Sequence, residues 1–295
     1  MFRETEKMAS ENSERLTLTS EIHDFFKNEV IAGSPGAVLS TYEFVYPAYM
    51  TSPEHSQETK AAVNGDLKVT KKENPPKKGV VLIEHQSATT IDLVGEQVWR
   101  GALLLADFIL HHPEIFKNAN VLELAAGVGL TSIVASMLAR KVLTTDLNIG
   151  DIFSLIDRNF KRNKELIKGE NLVKELDFDN HATIDENSES LKDISIILAA
   201  DTIYNNHLTD LLFKTILRLM SEPPNKTMYL SLEIRYVFNF APCYEYFIEC
   251  LDWLGCQNLS SVKWTIEEIP IDFKQYFTYE KSQKLVLWKI ASELK

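Results

Sequence analysis

From Val121 onward, apolar runs of strand length alternate with stretches whose apolar residues recur at helical spacing, and that order admits few folds. Val121–Leu124, Val142–Thr145, Leu172–Leu176, Ile194–Ala200 and Met228–Glu233 read as strands, Ile194–Ala200 as a strongly buried one. Between them, Leu130, Ile133, Val134, Met137 and Leu138 trace one helix face, Ile152, Leu155, Ile156 and Phe160 a second, and Leu208, Leu211, Leu212, Ile216 and Leu219 a third. A helix face from Tyr244 to Leu254 stops at Gly255. Val262–Ile269 and Leu285–Ile290 then follow with no helix between them. Helical crossovers make successive strands parallel, whereas a pair without one is expected to be antiparallel at an edge. The expectation is an α/β chain with a mostly parallel seven-stranded sheet and helices on both faces.

Upstream the pattern is different. Residues 1–78 mix Ser, Glu, Pro and Lys with short apolar islands such as Phe44-Val-Tyr46, and they end in Lys71-Lys-Glu-Asn-Pro-Pro-Lys-Lys78. They are expected to form a partly ordered extension and linker, with one domain over 79–295. Val80–Ile83 and the stretch around Ile91–Val94 are expected to pair as an antiparallel β-hairpin. Gly95-Glu-Gln-Val-Trp99 leads into an apolar helix that ends near His112, before Pro113.

The net charge of −11 argues against holding nucleic acid through its phosphates and suits a basic protein partner or plain solubility. Cys243, Cys250 and Cys256 lack the paired spacing of a zinc site and read as reduced thiols. The scattered histidines assemble no metal set. No apolar stretch approaches the ~20 residues of a membrane span, and the charged first residues lack a signal-peptide core. A nuclear or cytoplasmic location is therefore expected. The oligomeric state is not legible.

At the first strand-to-helix joint stands Glu123-Leu-Ala-Ala-Gly-Val-Gly-Leu130, where glycines bring bare backbone against a nucleotide-like ligand. The nicotinamide pattern G-x-G-x-x-G lacks its third glycine here, and no Lys follows to make a P-loop. Asp146 ends the next strand about 20 residues on, where such folds hold ribose hydroxyls. Taken alone, it is equally a turn residue.

Together these pieces resemble the seven-strand S-adenosylmethionine-dependent methyltransferases, a Rossmann-like fold. The Glu123–Leu130 loop is similar to that group's E-L-G-x-G-x-G-L, with Ala125 in place of the first glycine. Thr145-Asp-Leu147 resembles its ribose-binding acid, and Leu176-Asp-Phe178 its L-D-W segment at the adenine. Ala199-Ala-Asp-Thr-Ile-Tyr204 matches the D-x-x-Y motif of the lysine-directed branch, methyltransferase family 16, and the segments Gly95–Trp99 and Ser231–Arg235 are also similar to that branch.

The resemblance implies S-adenosylmethionine as cofactor. Its implied binding residues are Trp99, Glu123, Ala125, Gly127, Gly129, Asp146, Leu147, Asp177, Phe178 and Ala200. Glu123 would lie near the positively charged part of the cofactor, Asp146 at the ribose, Asp177 and Phe178 at the adenine, and Trp99 over the pocket. Asp201 and Tyr204 are the implied catalytic residues, Asp201 accepting an N–H of the acceptor amine and Tyr204 bounding its channel. The implied substrate is a protein lysine, on a basic nucleic-acid-associated protein or a chaperone. Other readings are a methyltransferase for a small molecule or nucleic acid, and a non-catalytic adaptor that kept the fold. The aromatic residues Phe273, Tyr276, Phe277 and Tyr279 read as packing anchors.

Overall fold

The computed structural model describes residues 17–51, 75–235, 242–257 and 262–295. Three strands, β1 (Lys27–Val30), β2 (Ala37–Val45) and β3 (Lys78–Gln86), form a small antiparallel sheet in that order. Seven more make the main sheet: β4 (Asn120–Leu124), β5 (Lys141–Asp146), β6 (Glu170–Glu175), β7 (Ile196–Ala200), β8 (Lys226–Glu233), β9 (Val262–Glu268) and β10 (Leu285–Leu294). Their order is β6-β5-β4-β7-β8-β10-β9. The run from β6 to β8 is parallel throughout, and β10 pairs antiparallel with both β8 and β9. The expected seven-stranded sheet with an antiparallel edge is thus present.

The strand period of two sends neighbouring residues to opposite faces, and both faces are covered. In β4, Val121 enters one hydrophobic cluster while Leu122 and Leu124 enter the other; in β7, Ile196 and Leu198 separate from Ile197 and Ala199 in the same way. The first cluster is closed by α1 (Arg100–His111), through Leu103, Leu104 and Phe108, and by α2 (Leu130–Ala135). The second is closed by α4 (Asn206–Met220) and α5 (Pro242–Gly255), through Leu212, Ile216, Phe247 and Leu251. Helix α3 (Ile152–Arg162) follows β5. The polar stretch after Asp179 holds two short helices, Ala182–Glu186 and Ser188–Leu191, seated by the buried Ile184 and Leu191.

One expectation fails here. Ile91–Val94 is not the partner of Val80–Ile83. It belongs to a 3-10 segment, Ile91–Glu96, with Ile91 half exposed. The true partner is β2, in register from Ala37 opposite Gln86 to Val45 opposite Lys78. Packing decides the choice: β2 buries Tyr42 and Phe44 on the main core, and Phe44 stacks on Phe277 at 5.1 Å between centroids. Residues 1–16 and 52–74, to which the expected extension and linker mostly apply, lie outside the described residues.

Candidate active site

The strand order reverses between β4 and β7: β5 and β6 extend to one side of the pair, β8 to the other. Ligands of open α/β sheets sit beyond the carboxyl ends of the strands at such a point. A cleft of about 590 Å3 lies there, lined by Trp99, Glu123, Ala125, Gly127, Asp146, Leu147, Asp177, Phe178, Ala200, Asp201 and Tyr204. Every anticipated site residue except Gly129 is in that lining. Gly129, with φ +83°, is the residue just before α2 and caps its start.

The loop after β4 bends through three left-handed residues, Ala125 (φ +47°), Gly127 (φ +54°) and Gly129. A Cβ on Gly127 would stand 2.7 Å from the main-chain oxygen of Gly95, so the 3-10 segment roofs the loop only because this residue has no side chain. Ala125 tolerates the conformation at a steric cost that glycine would not bear.

Glu123 is almost fully buried, and Ser132 Oγ donates to its Oε2. Burial raises its pKa to about 8, with the charge of Asp146 adding to the effect. Asp146 accepts from Gly127 N and from Leu147 N, each at 2.7 Å. Each of its oxygens keeps a second lone pair, enough to take a vicinal diol. Burial lifts its pKa to about 6 despite those bonds. Asp177 accepts from Asp179 N at 2.9 Å, and the ring of Phe178 packs against the second core. Asp92, Glu96 and Asp179 extend the acidic lining; among the described residues no Lys or Arg lines the cleft.

On the opposite wall, Asp201 is tied to the frame around it. Its backbone is left-handed (φ +53°) and its side chain is turned inward. Oδ2 accepts from Gly101 N at 2.6 Å, and Oδ1 accepts from Glu233 N at 2.9 Å with Arg235 Nη1 at 3.4 Å. The carboxylate therefore brackets the start of α1 to the end of β8. These three donors leave Oδ2 one lone pair for an N–H of an acceptor amine. Tyr204 is 40% exposed at the rim, and burial with the charges of Asp146 and Asp92 raises its pKa. Asn205 caps α4 by accepting from Leu208 N at 3.1 Å.

The segments Gly95–Trp99 and Ser231–Arg235 were singled out in the sequence, but the bonds that hold them were not. Gln97 accepts from Ser20 N at 2.7 Å and donates to Thr89 Oγ1 at 2.6 Å, fixing the segment before Trp99. Glu96 accepts from Asp151 N at 3.0 Å. Trp99 donates to Val94 O at 2.9 Å, and the guanidinium of Arg235 lies 4.6 Å from its ring centroid. Ser20, Asp151 and Arg235 lie far from this segment in sequence, so no local pattern shows those contacts.

Comparison with known proteins adds a lineage to this geometry. The chain is 37% identical over 235 residues to "Methyltransferase-like protein 22" of Homo sapiens, covering 72% of this chain and 58% of that one. It is 36% identical to the Mus musculus protein of the same name, covering 60% of its length. It therefore spans a little under two thirds of these relatives. "Protein-lysine methyltransferase METTL21E" of Mus musculus is 35% identical over 44% of this chain and 54% of its own. A family model described as lysine methyltransferase matches residues 78–246, more than half of the chain, so this protein belongs to the lysine methyltransferase family.

Proposed function

We propose that this chain transfers a methyl group from S-adenosylmethionine to the ε-amine of a lysine in a protein substrate. One observation carries the reading: the cleft joins three strand-end acids, Glu123, Asp146 and Asp177, to the wall formed by Asp201–Tyr204. The residues suit that cofactor. The left-handed loop at Gly127 leaves room for a ligand's amino-acid end, Glu123 is a buried carboxylate for its positive charge, and Asp146 keeps lone pairs for its ribose. Asp177 offers an acceptor to an adenine amino group, and Phe178 a flat apolar surface. Volume supports this too, since about 590 Å3 lies within the range of ~300–1,000 Å3 for small-molecule sites.

The cofactor, when bound, supplies an electrophilic methyl group. The protein's part is to present a neutral amine to it in line. A free lysine has a pKa near 10.4, so reaching the neutral form at pH 7.4 costs about 4 kcal/mol. Desolvation in the cleft lowers that cost. Tyr204 bounds the acceptor channel and limits the angle of approach, and positioning of this kind accounts for much of the rate. Asp201 fixes the wall through three donors and keeps a lone pair on Oδ2 to accept an N–H of the amine. The acidic lining favours a basic segment as acceptor, of the kind found on nucleic-acid-associated proteins or chaperones.

Calorimetry with S-adenosylmethionine and with its demethylated product tests the first half. Heat with both is expected, and silence with both would remove the reading. Labelled transfer onto nuclease-resistant protein bands in an extract, with mass mapping to lysine, tests the second.

A further inference from the structure

Arg235 lies next to the cleft without being part of its lining, and nothing above assigns it a task. It follows β8, is about one-third exposed, and touches three groups at once. Its guanidinium covers the face of Trp99 at 4.6 Å, meets Asp201 Oδ1 at 3.4 Å, and meets Glu233 Oε2 at 3.8 Å. Glu233 is also paired with the buried Arg100, whose guanidinium reaches the exposed Glu21 at 3.3 Å. Beyond Glu233, the main-chain NH of Ile234 is bonded to Lys284 O at 2.9 Å. On the cleft side the ionisable lining is Glu123, Asp146, Asp177, Tyr204 and His207 beside the acids at Asp92, Glu96 and Asp179.

Charge accounting makes the position informative. Asp201 and Glu233 carry two negative charges behind the acceptor wall, and Arg100 and Arg235 carry two positive ones. Glu21 is largely exposed and screened by solvent, so the inner part of the cluster balances only while Arg235 is present. Trp99 and Asp201 both line the cleft, so the guanidinium is separated from it by single side chains.

We propose that Arg235 is a positioning residue for methyl transfer: it cancels the charge of the Asp201–Glu233 pair so that the acceptor lysine enters the cleft as a neutral amine. This rests on the methyltransferase reading above. Without the guanidinium the surplus negative charge favours the ammonium, which cannot attack. One charge at roughly 10 Å, in an effective dielectric near 20, moves an amine by about one pH unit.

The test is the pH profile of labelled methyl transfer onto extract proteins for the wild type, Arg235→Gln and Arg235→Lys, with calorimetry of S-adenosylhomocysteine alongside. For Arg235→Gln the acid limb should move up by about one unit, giving about tenfold less transfer near neutrality and convergence with the wild type near pH 9.5. Arg235→Lys should keep the limb in its wild-type place, and both variants should bind the product as the wild type does. An equal loss for Arg235→Gln at every pH, or an unmoved limb, overturns the proposal, as does the same shift in Arg235→Lys. A wild-type protein that binds no product and transfers no label defeats the methyltransferase reading itself, and this proposal with it.

Discussion

Ala125 is the residue whose replacement is simplest to forecast. Its left-handed φ of +47° costs an L residue about 1–2 kcal/mol. Glycine removes that strain and returns about 0.4–1 kcal/mol through the freer unfolded chain. Ala125→Gly should therefore stabilise the protein by about 0.5–1 kcal/mol in urea unfolding, and no gain would show that the loop is unstrained. Glu123 gives a pH dependence whose sign is fixed. Its folded pKa, about 8, lies above the ordinary 4.5, so the folded state holds the proton longer. Its contribution is complete below pH 4.5 and is lost as pH rises toward 8, at no more than about 1.4 kcal/mol per unit. Glu123→Gln should flatten that slope in ligand-free unfolding measured between pH 5 and 8. A cationic ligand favours the ionised acid, so wild-type affinity for S-adenosylmethionine should climb across pH 6 to 8 with proton release. Glu123, Asp146 and Asp177 were marked in the sequence by the resemblance of their short motifs, and all three line the cleft at the carboxyl ends of β4, β5 and β6. The bracket made by Asp201 was not legible there, since Gly101 and Glu233 lie 100 residues before it and 32 after.

At the scale of elements, the small sheet and the glycine loop are tied through one side chain. Asn159 of α3 is fully buried; it accepts from Glu84 N at 2.7 Å and donates to Glu84 O at 2.9 Å and to Val128 O at 3.0 Å. Asn159→Ala strands three buried backbone groups at about 1–3 kcal/mol each before relaxation. A loss of about 3 kcal/mol is expected in urea unfolding, with weaker ligand binding because Val128 belongs to the loop. An unchanged midpoint would mean that water replaces the amide. The central strands β4, β5, β7 and β8 were the most legible, because they are buried on both faces and read as apolar runs between helices. Periodicity missed β2 because the partner, β3, comes more than thirty residues later, and the nearer run Ile91–Val94 offered the same apolar residues. That run instead belongs to the 3-10 segment whose Gly95 roofs Gly127.

Over the whole molecule, charge governs encounter more than fold. A net charge of −11 draws basic segments toward an acidic cleft, and salt screens that attraction beyond ~10 Å at 0.1 M. The apparent KM for the acceptor should rise severalfold between 50 and 500 mM salt while turnover at saturation changes little. A salt-insensitive KM would place recognition in apolar contacts. The arrangement of the last three strands has a further consequence, in the order of manufacture. β9 touches the sheet only through β10, which is made after it and wedges between it and β8. A growing chain emerging from the ribosome must therefore keep two unzipped margins, those of β8 and β9, until a single later segment closes both. Such margins are where nascent chains stick to one another, so this corner of the protein is where chaperone protection during synthesis matters most.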